Sequence, residues 1–260
     1  MTQNERRLYL IENLLAERGE RIEIPTDEYS QKQLLRSLFN IRMPKPVTND
    51  FLQIQDAYLQ EETAQKGITD IADLEPVQNH IYLWQGDITT LRCDAIVNAA
   101  NSQMLGCFNP CHGCIDNAIH TYSGVQLRFK CNELMKAQGF DEPTGQAKVT
   151  PAYNLPCDYV IHTVGPIVDG ALTKEDCELL KSCYLSCLNE AVKNELKSIA
   201  FCCISTGVFG FPQREAAEIA VKTVKDFQKE HEIEVIFNVF KDNDYQIYRE
   251  LLSADRANQR

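Results

Sequence analysis

From about residue 80 onward, short apolar segments alternate with longer amphipathic ones, and this alternation restricts the chain to few folds. The short segments carry apolar side chains at successive positions, which is typical of strands that are covered on both faces. The longer segments repeat apolar residues every three or four positions, which is typical of helices packed on a sheet. The pattern therefore predicts an α/β fold with helices on both sides of a central sheet.

Six strands and four helices are predicted in this part of the chain. The strands are predicted over residues 81–85, 95–99, 148–153, 159–164, 199–204 and 235–240, and the helices over residues 116–138, 174–195, 212–230 and 245–254. Pro212 suits the first turn of its helix, because the N–H that proline lacks would have no partner there.

Residues 1–75 have a different pattern, rich in Gln and Glu, with no predicted strand. Apolar residues at helical spacing occur in two groups and resume between Phe51 and Leu59: Leu8, Ile11, Leu14 and Leu15, then Leu34, Leu35, Leu38 and Phe39. Pro44 and Pro46 interrupt the pattern. We therefore expect a helical N-terminal extension, residues 1–75, packed on a main domain, residues 76–260. A helical domain with its own function is the alternative.

Composition and charge exclude several classes of protein. The formal charge of −11 argues against non-specific nucleic-acid binding, although backbone N–H groups can still bind a small phosphate ligand. No apolar run approaches the roughly 18 residues of a membrane-spanning helix, and the first residues lack the apolar core of a signal peptide. We therefore expect a cytoplasmic protein with no membrane partner. Its eleven cysteines are an odd number and are expected to be reduced thiols.

Three segments directly after predicted strands present groups that suit a nucleotide sugar. Asp87 offers a carboxylate for an exocyclic amine such as that of adenine, and Asn98 and Asn101 can pair with the vicinal hydroxyls of a ribose. Residues 205–210, between a strand and a helix, can direct backbone N–H groups at a diphosphate. Each segment could equally be an ordinary turn or connecting loop.

Cys107, Cys111, His112 and Cys114 place four soft metal ligands within eight residues. Three such ligands with one open position form the catalytic kind of zinc site, whereas four would close it. A Cys111–Cys114 redox pair and unmetallated thiols are the other interpretations.

Asp116 follows this cluster near a predicted helix start, where the helix dipole favours a carboxylate. It can therefore act in catalysis or serve as a plain helix cap. His120, one turn later, is expected to be a core or helix-face residue, and His162, inside an apolar strand, is expected to be a core residue with its hydrogen bonds satisfied.

These segments, in this order, resemble a macrodomain, the three-layer α/β/α fold with a mixed sheet that binds ADP-ribose. The matching pieces are GDIT at 86–89, NAAN at 98–101, CIDNAIH at 114–120, HTVGP at 162–166 and STGVFGFP at 205–212. Where most hydrolytic macrodomains have a run of glycines, this chain has GCFNPCHGC. That feature and the helical extension resemble the zinc-containing macrodomains of Gram-positive bacteria and fungi.

The resemblance implies a role for each matching position. Asp87 and the backbone of Ile88 would hold adenine, and Asn101, with Asn98 behind it, would frame the distal ribose. The diphosphate would be wrapped by Ser205, Thr206, Gly207, Val208, Phe209 and Gly210. The pocket between phosphates and ribose would be lined by Cys114, Ile115, Asp116 and Asn117. A single zinc ion would be held by Cys107, His112 and Cys114, leaving Cys111 as an extra thiol.

The resemblance also implies a zinc-dependent hydrolase that removes mono-ADP-ribose from modified proteins, with Asp116 and Asn101 as catalytic residues. In that subfamily, a sirtuin-type ADP-ribosyltransferase and a lipoyl-carrier protein, like the H protein of glycine cleavage, belong to the same pathway. We therefore expect such a carrier as the substrate. Two further functions are open: a reader that binds ADP-ribose without cleaving it, and a deacetylase of O-acetyl-ADP-ribose.

Overall fold

The computed structural model describes residues 1–258, with side chains described as far as Ser253. The helices are α1 (Gln3–Arg18), α2 (Glu28–Ile41), α3 (Asn49–Lys66), α4 (Ile115–Ser123), α5 (Val125–Gln138), α6 (Lys174–Lys193), α7 (Gln213–Phe227) and α8 (Asp242–Asn258). The strands are β1 (Thr69–Asp70), β2 (Ile81–Gln85), β3 (Leu91–Arg92), β4 (Ala95–Ala100), β5 (Ala147–Pro151), β6 (Tyr159–Val164), β7 (Ser198–Phe201) and β8 (Glu234–Val239). Residues 259 and 260, the end of the predicted main domain, lie outside the described residues.

Six of the strands form one mixed sheet in the order β2-β8-β7-β4-β6-β5. Neighbouring strands are parallel except β5, which runs antiparallel to β6. Helix α4 packs on β4 and α5 on β5, whereas α6, α7 and α8 form a row in which each helix contacts the next. The predicted three-layer α/β/α fold with a mixed sheet is confirmed.

The structure corrects several predicted boundaries. The helix predicted over residues 116–138 is two helices, because Gly124 between them has a φ of 96°, outside the helical region. The strand predicted over residues 199–204 ends at Phe201, and Pro212 lies just before α7 instead of in its first turn. The expectation of no strand in residues 1–75 is wrong, since β1 pairs with β3.

Polar caps fix where the first three helices begin. Thr2 and Glu5 form a reciprocal capping box at the start of α1, and the side chains of Asp27 and Thr48 accept N–H groups in the first turns of α2 and α3. These side chains satisfy N–H groups that have no partner within the helix, so each start is encoded locally in the sequence.

Helices α1, α2 and α3 bury a hydrophobic cluster of their own, formed mainly by Leu10, Ile11, Leu14, Leu15, Leu35, Leu38, Phe39, Phe51, Tyr58 and Leu59. Val125 of α5 joins this cluster, and both α2 and α3 contact α4. The helices of the extension therefore lie against α4 and α5, next to the loop that leads into α4. The exact domain boundary near residue 75 stays a prediction.

The parallel strands β2, β4, β6, β7 and β8 end at the same edge of the sheet, which is where ligands bind in open α/β sheets. The segments 86–89 and 205–210 follow the ends of β2 and β7, and the segment 98–101 spans the end of β4. Across residues 1–258, no helix is long and apolar enough to cross a membrane.

Candidate active site and metal centre

Cys107, His112 and Cys114 lie together in the loop between β4 and α4. Their ligand atoms are all within 4.8 Å of one another, and Cys107 Sγ is 3.7 Å from His112 Nδ1. All three side chains are partly exposed, which leaves an approach for an ion. Two thiols and one imidazole at this spacing match the donor set of a zinc site with an open position.

Cys114 also caps α4, because its Sγ accepts the N–H of Asn117 at 3.4 Å. Burial raises the pKa of Cys114 to about 12; the N–H of Asn117 opposes this rise, and the neighbouring Cys107 adds to it. A divalent cation would replace the thiol proton and favour the thiolate. The donor set and its spacing therefore fit a metal ion.

Cys111 is directed away from the other three side chains. Its Sγ lies 3.2 Å from Ser37 Oγ and 3.5 Å from the carbonyl oxygen of Gln33, both in α2. Cys111 also has a φ of 53°, in the left-handed region that residues other than glycine rarely adopt. This arrangement does not bring Cys111 into the group as a fourth ligand.

Asp116 lies in the first turn of α4 and is buried. Asn98 Nδ2 donates to its Oδ1 at 2.8 Å, and Asn101 Nδ2 is 3.5 Å from its Oδ2. Burial raises the pKa of Asp116 to about 6, whereas the hydrogen bond from Asn98 and the charge of Arg128 act in the opposite direction. The carboxylate is therefore charged in most molecules at neutral pH and is held by the end of β4.

The two amides that hold Asp116 also offer acceptors. Oδ1 of Asn98 and Oδ1 of Asn101 are buried and have no hydrogen-bond partner among the residues with described side chains. Because unpaired buried acceptors are costly, these atoms are suited to receive hydroxyl groups from a ligand.

A chain of buried hydrogen bonds supports Asn98 from behind. His162 Nδ1 lies 3.1 Å from Asn98 Nδ2, and His162 Nε2 lies 2.9 Å from Thr150 Oγ1. Burial lowers the pKa of His162 to about 3, so the ring is neutral and Nδ1 accepts from the amide. His120 and Cys131 are buried beside it, with ligand atoms within 4.8 Å of one another and of His162. The structure thus places His120 in the core and gives both ring nitrogens of His162 a partner, as the sequence predicted.

Asp87 lies where β2 ends, and its carboxylate is already bonded. The N–H and the hydroxyl of Thr89 donate to its Oδ1, and Lys66 Nζ at the end of α3 lies 3.0 Å from its Oδ2. Burial alone would raise the pKa of Asp87, but the contacts with Thr89 and Lys66 outweigh it and lower the pKa. The structure thus contains the turn that was the alternative interpretation, and Ile88 behind it is buried.

Residues 205–210 form a loop between β7 and α7. Ser205 and Gly210 have φ values of 64° and 71°, so the backbone bends sharply at both ends of the loop. Val208 is 81% exposed at its tip. A Cβ on Gly165, just after β6, would lie 2.0 Å from Ser205 Oγ, so this loop packs directly against the end of β6.

The family described as Macro domain matches residues 97–220, which include both amides, the Cys/His group and the 205–210 loop. A protein of Treponema medium named protein-ADP-ribose hydrolase is 58% identical, covering 97% of this chain and 100% of the relative. The chain belongs to the macrodomain family. A protein of the same name from Staphylococcus aureus (strain MSSA476) is 49% identical to this macrodomain, covering 95% of each chain.

Solved structures agree with this assignment. The structure of a Trypanosoma brucei macrodomain in complex with ADP-ribose is 31% identical to this macrodomain, with a TM-score of 0.65. The match covers 84% of this chain and 94% of the trypanosome chain.

The macrodomain site has contacts that the sequence analysis did not predict, and several of them come from the extension. Arg36 Nη2 donates to the carbonyl oxygen of His112 at 3.0 Å, Asn40 Oδ1 accepts the N–H of Cys111 at 2.8 Å, and Lys66 meets Asp87. A signal was present for Asn40, because it is a polar residue at the buried end of an amphipathic helix, next to Phe39.

Asn117, which the resemblance places in the ligand pocket, is fully buried and already bonded. Its Oδ1 accepts from Arg36, and its Nδ2 donates to the carbonyl oxygen of Asn109 at 3.0 Å. Ile115, beside it, is half-buried. The side chain of Asn117 thus joins α4 to the metal-capable loop and to α2.

Proposed function

We propose that this macrodomain is a zinc-dependent hydrolase that removes mono-ADP-ribose from modified proteins. The observation that carries the proposal is the position of Asp116: a buried carboxylate, two residues after Cys114, beside three metal-capable side chains. A reader of ADP-ribose needs the binding groups but has no use for this combination. The relatives named protein-ADP-ribose hydrolase support the same function.

The binding groups suit each part of ADP-ribose. The unpaired Oδ1 atoms of Asn98 and Asn101 would accept hydroxyls of the distal ribose, and Asp87 would accept the adenine amine. Backbone N–H groups of residues 205–210 would hold the diphosphate without the cost of burying lysine or arginine. The complex of the trypanosome macrodomain with ADP-ribose supports this class of ligand.

Hydrolysis breaks the bond between C1 of the distal ribose and the modified side chain. The oxygen of a water molecule forms the new bond to C1. The proton that this water loses balances the proton that the departing side chain gains. Zinc held by Cys107, His112 and Cys114 would supply a mild Lewis acid, because two thiolates offset its charge. Asp116 would accept a hydrogen bond from the water or from a ribose hydroxyl, and Asn101 would hold the ribose beside it.

We further propose that the substrate is a lipoyl-carrier protein modified by a sirtuin-type ADP-ribosyltransferase, as the resemblance implies. The test is to incubate the macrodomain with an ADP-ribosylated carrier, with and without a strong chelator, and to follow the intact mass of the carrier. We expect loss of the modification in the untreated sample and its retention after chelation, with recovery when zinc is restored. Tight ADP-ribose binding with no mass change in any sample would make this chain a reader.

A further inference from the structure

We infer that the N-terminal extension is part of the metal centre, because helix α2 holds the metal-binding loop in shape through Arg36, Ser37 and Asn40. Here the metal-binding loop is residues 107–114. The inference rests on the proposed metal site and adds three positioning residues that lie outside residues 97–220, the segment that matches the family.

The groups that contact the loop lie on one face of α2. The carbonyl of Gln33 and the side chains of Arg36, Ser37 and Asn40 are spaced by three, four and seven positions, which places them on neighbouring turns of one helical face. Leu35 on the same helix is buried in the cluster shared with α1 and α3. Helix α2 therefore presents one face to its own hydrophobic cluster and another, polar face to the loop.

Arg36 contacts the main chain of a proposed metal ligand. Its Nη2 donates to the carbonyl oxygen of His112 at 3.0 Å and to Asn117 Oδ1 at 2.8 Å, and its Nε lies 3.2 Å from the same Oδ1. The planar guanidinium thus joins His112 to the first turn of α4, where Cys114 is the cap. It sets the position of one ligand relative to another.

Cys111 needs such support because its backbone is strained. A φ of 53° is unfavourable in a residue other than glycine and persists where the surroundings hold it in place. Helix α2 contacts both the backbone and the side chain of Cys111. The N–H of Cys111 donates to Asn40 Oδ1 at 2.8 Å, and its Sγ lies 3.2 Å from Ser37 Oγ. Since His112 is the next residue, this bend determines where the imidazole is directed.

Asn40 also connects α2 to α4. It is 1% exposed, and its Nδ2 donates to Thr121 Oγ1, which in turn donates to the carbonyl oxygen of Asn117. The loop, α2 and α4 are therefore joined by one buried network. Because binding energies are reciprocal, a metal ion that orders the loop must also stabilise the docking of α2.

The test is the zinc dissociation constant, measured by competition with a chelating dye on the full chain. Residues that orient metal ligands typically contribute about 10- to 100-fold to metal affinity, and we expect a loss in that range for Arg36→Ala and for Asn40→Ala. The matched control is Lys32→Ala on the same helix, whose ion pairs are with Glu28 and Glu62, away from the loop. It should keep wild-type affinity. Arg36→Lys should recover part of the loss, because one donor can still reach the carbonyl of His112.

A second readout detects the coupling itself. Hydrogen exchange of residues 28–41 should slow when zinc is added to the wild-type chain, and this slowing should shrink in Arg36→Ala. If Arg36→Ala and Asn40→Ala bind zinc as tightly as Lys32→Ala while Cys107→Ala loses it, the metal site stands and the inference is overturned. If Cys107→Ala also keeps its zinc, the proposed ligand set fails, and the inference fails with it.

Discussion

The two loops that frame the candidate site are held in different ways. The loop proposed to bind the metal, residues 107–114, is fixed by polar contacts from Arg36 and Asn40 of the extension. The loop of residues 205–210 is closed mainly by its own backbone, with Val208 exposed at its tip and Ser205 Oγ buried without a partner among the residues with described side chains. Side chains of the extension hold the first loop, whereas the second loop keeps a buried hydroxyl with no partner among the residues with described side chains.

This difference matches the two tasks that we propose. A reacting group must be positioned within a fraction of an ångström, so side chains that are held in place before the substrate binds suit the cleavage step. A diphosphate is bound by several N–H groups at once, and a loop that adapts to it can supply them. We therefore expect substitutions of the proposed metal ligands and of Asp116 to change turnover. Substitutions beside the 205–210 loop should change the affinity for ADP-ribose.

The largest effect should come from Asp116→Ala. Removing a positioned general base typically lowers the rate by about 10²- to 10⁴-fold, and we expect a loss of turnover in that range. Affinity for free ADP-ribose should largely persist, because Asp87 and the 205–210 loop are untouched. The measurement is single-turnover release of ADP-ribose from a modified protein, beside a calorimetric titration with ADP-ribose. Asp141→Ala, which removes an exposed carboxylate bonded to Ser102, serves as the control. Wild-type turnover in Asp116→Ala would contradict the assignment.

A smaller effect should appear in stability at low pH. The pKa of His162 falls from its ordinary 6.5 to about 3 in the folded protein because the ring is buried. Between these values the unfolded chain binds a proton that the folded chain refuses, so the free energy of unfolding falls as the pH falls. One such group contributes a slope of about 1.4 kcal/mol per pH unit.

Urea unfolding between pH 7 and pH 4 measures this slope, and His162→Gln should show a shallower decline than the wild type. Equal slopes would mean that the support behind Asn98 does not depend on a neutral buried histidine.

The smallest of these effects should come from Gly165→Ala. The added Cβ would lie 2.0 Å from Ser205 Oγ and 2.9 Å from Ile204 Cγ2, so the side chains at the start of the 205–210 loop must move. We expect about tenfold weaker ADP-ribose binding, which corresponds to roughly 1.4 kcal/mol, with zinc content unchanged. Gly113→Ala places the same methyl group in the 107–114 loop, where nothing lies within 4 Å, and its affinity for ADP-ribose should stay at the wild-type value. Equal effects of the two substitutions would contradict the comparison of the loops.

Much of the fold follows from local sequence patterns, because strand and helix periodicities are properties of neighbouring residues. The break at Gly124 was missed, since a single glycine inside a helical pattern is often tolerated and its φ is set by packing. The position of Asp87, Asn101 and residues 205–210 at one edge of the sheet was predictable, because parallel strands end at the same edge.

The contacts between the extension and the site could not be predicted in the same way. Arg36 and His112 are 76 positions apart, and neither residue type at that distance signals a contact. The helical pattern of residues 28–41 identifies the apolar face of α2 but not the partner of its polar face. That partner is decided by how three helices pack on α4 and α5, which the chain as a whole determines.

The central claim is that the 107–114 loop with Asp116 sets turnover and the 205–210 loop sets affinity. The most direct test is to determine the ADP-ribose dissociation constant and the single-turnover rate together for Asp116→Ala and Gly165→Ala. We predict opposite patterns, in which the first variant keeps most of its affinity and loses its rate, and the second loses affinity and keeps its rate at saturating substrate. Proportional losses of both quantities in both variants would show that the two loops act as one unit, and would contradict the account.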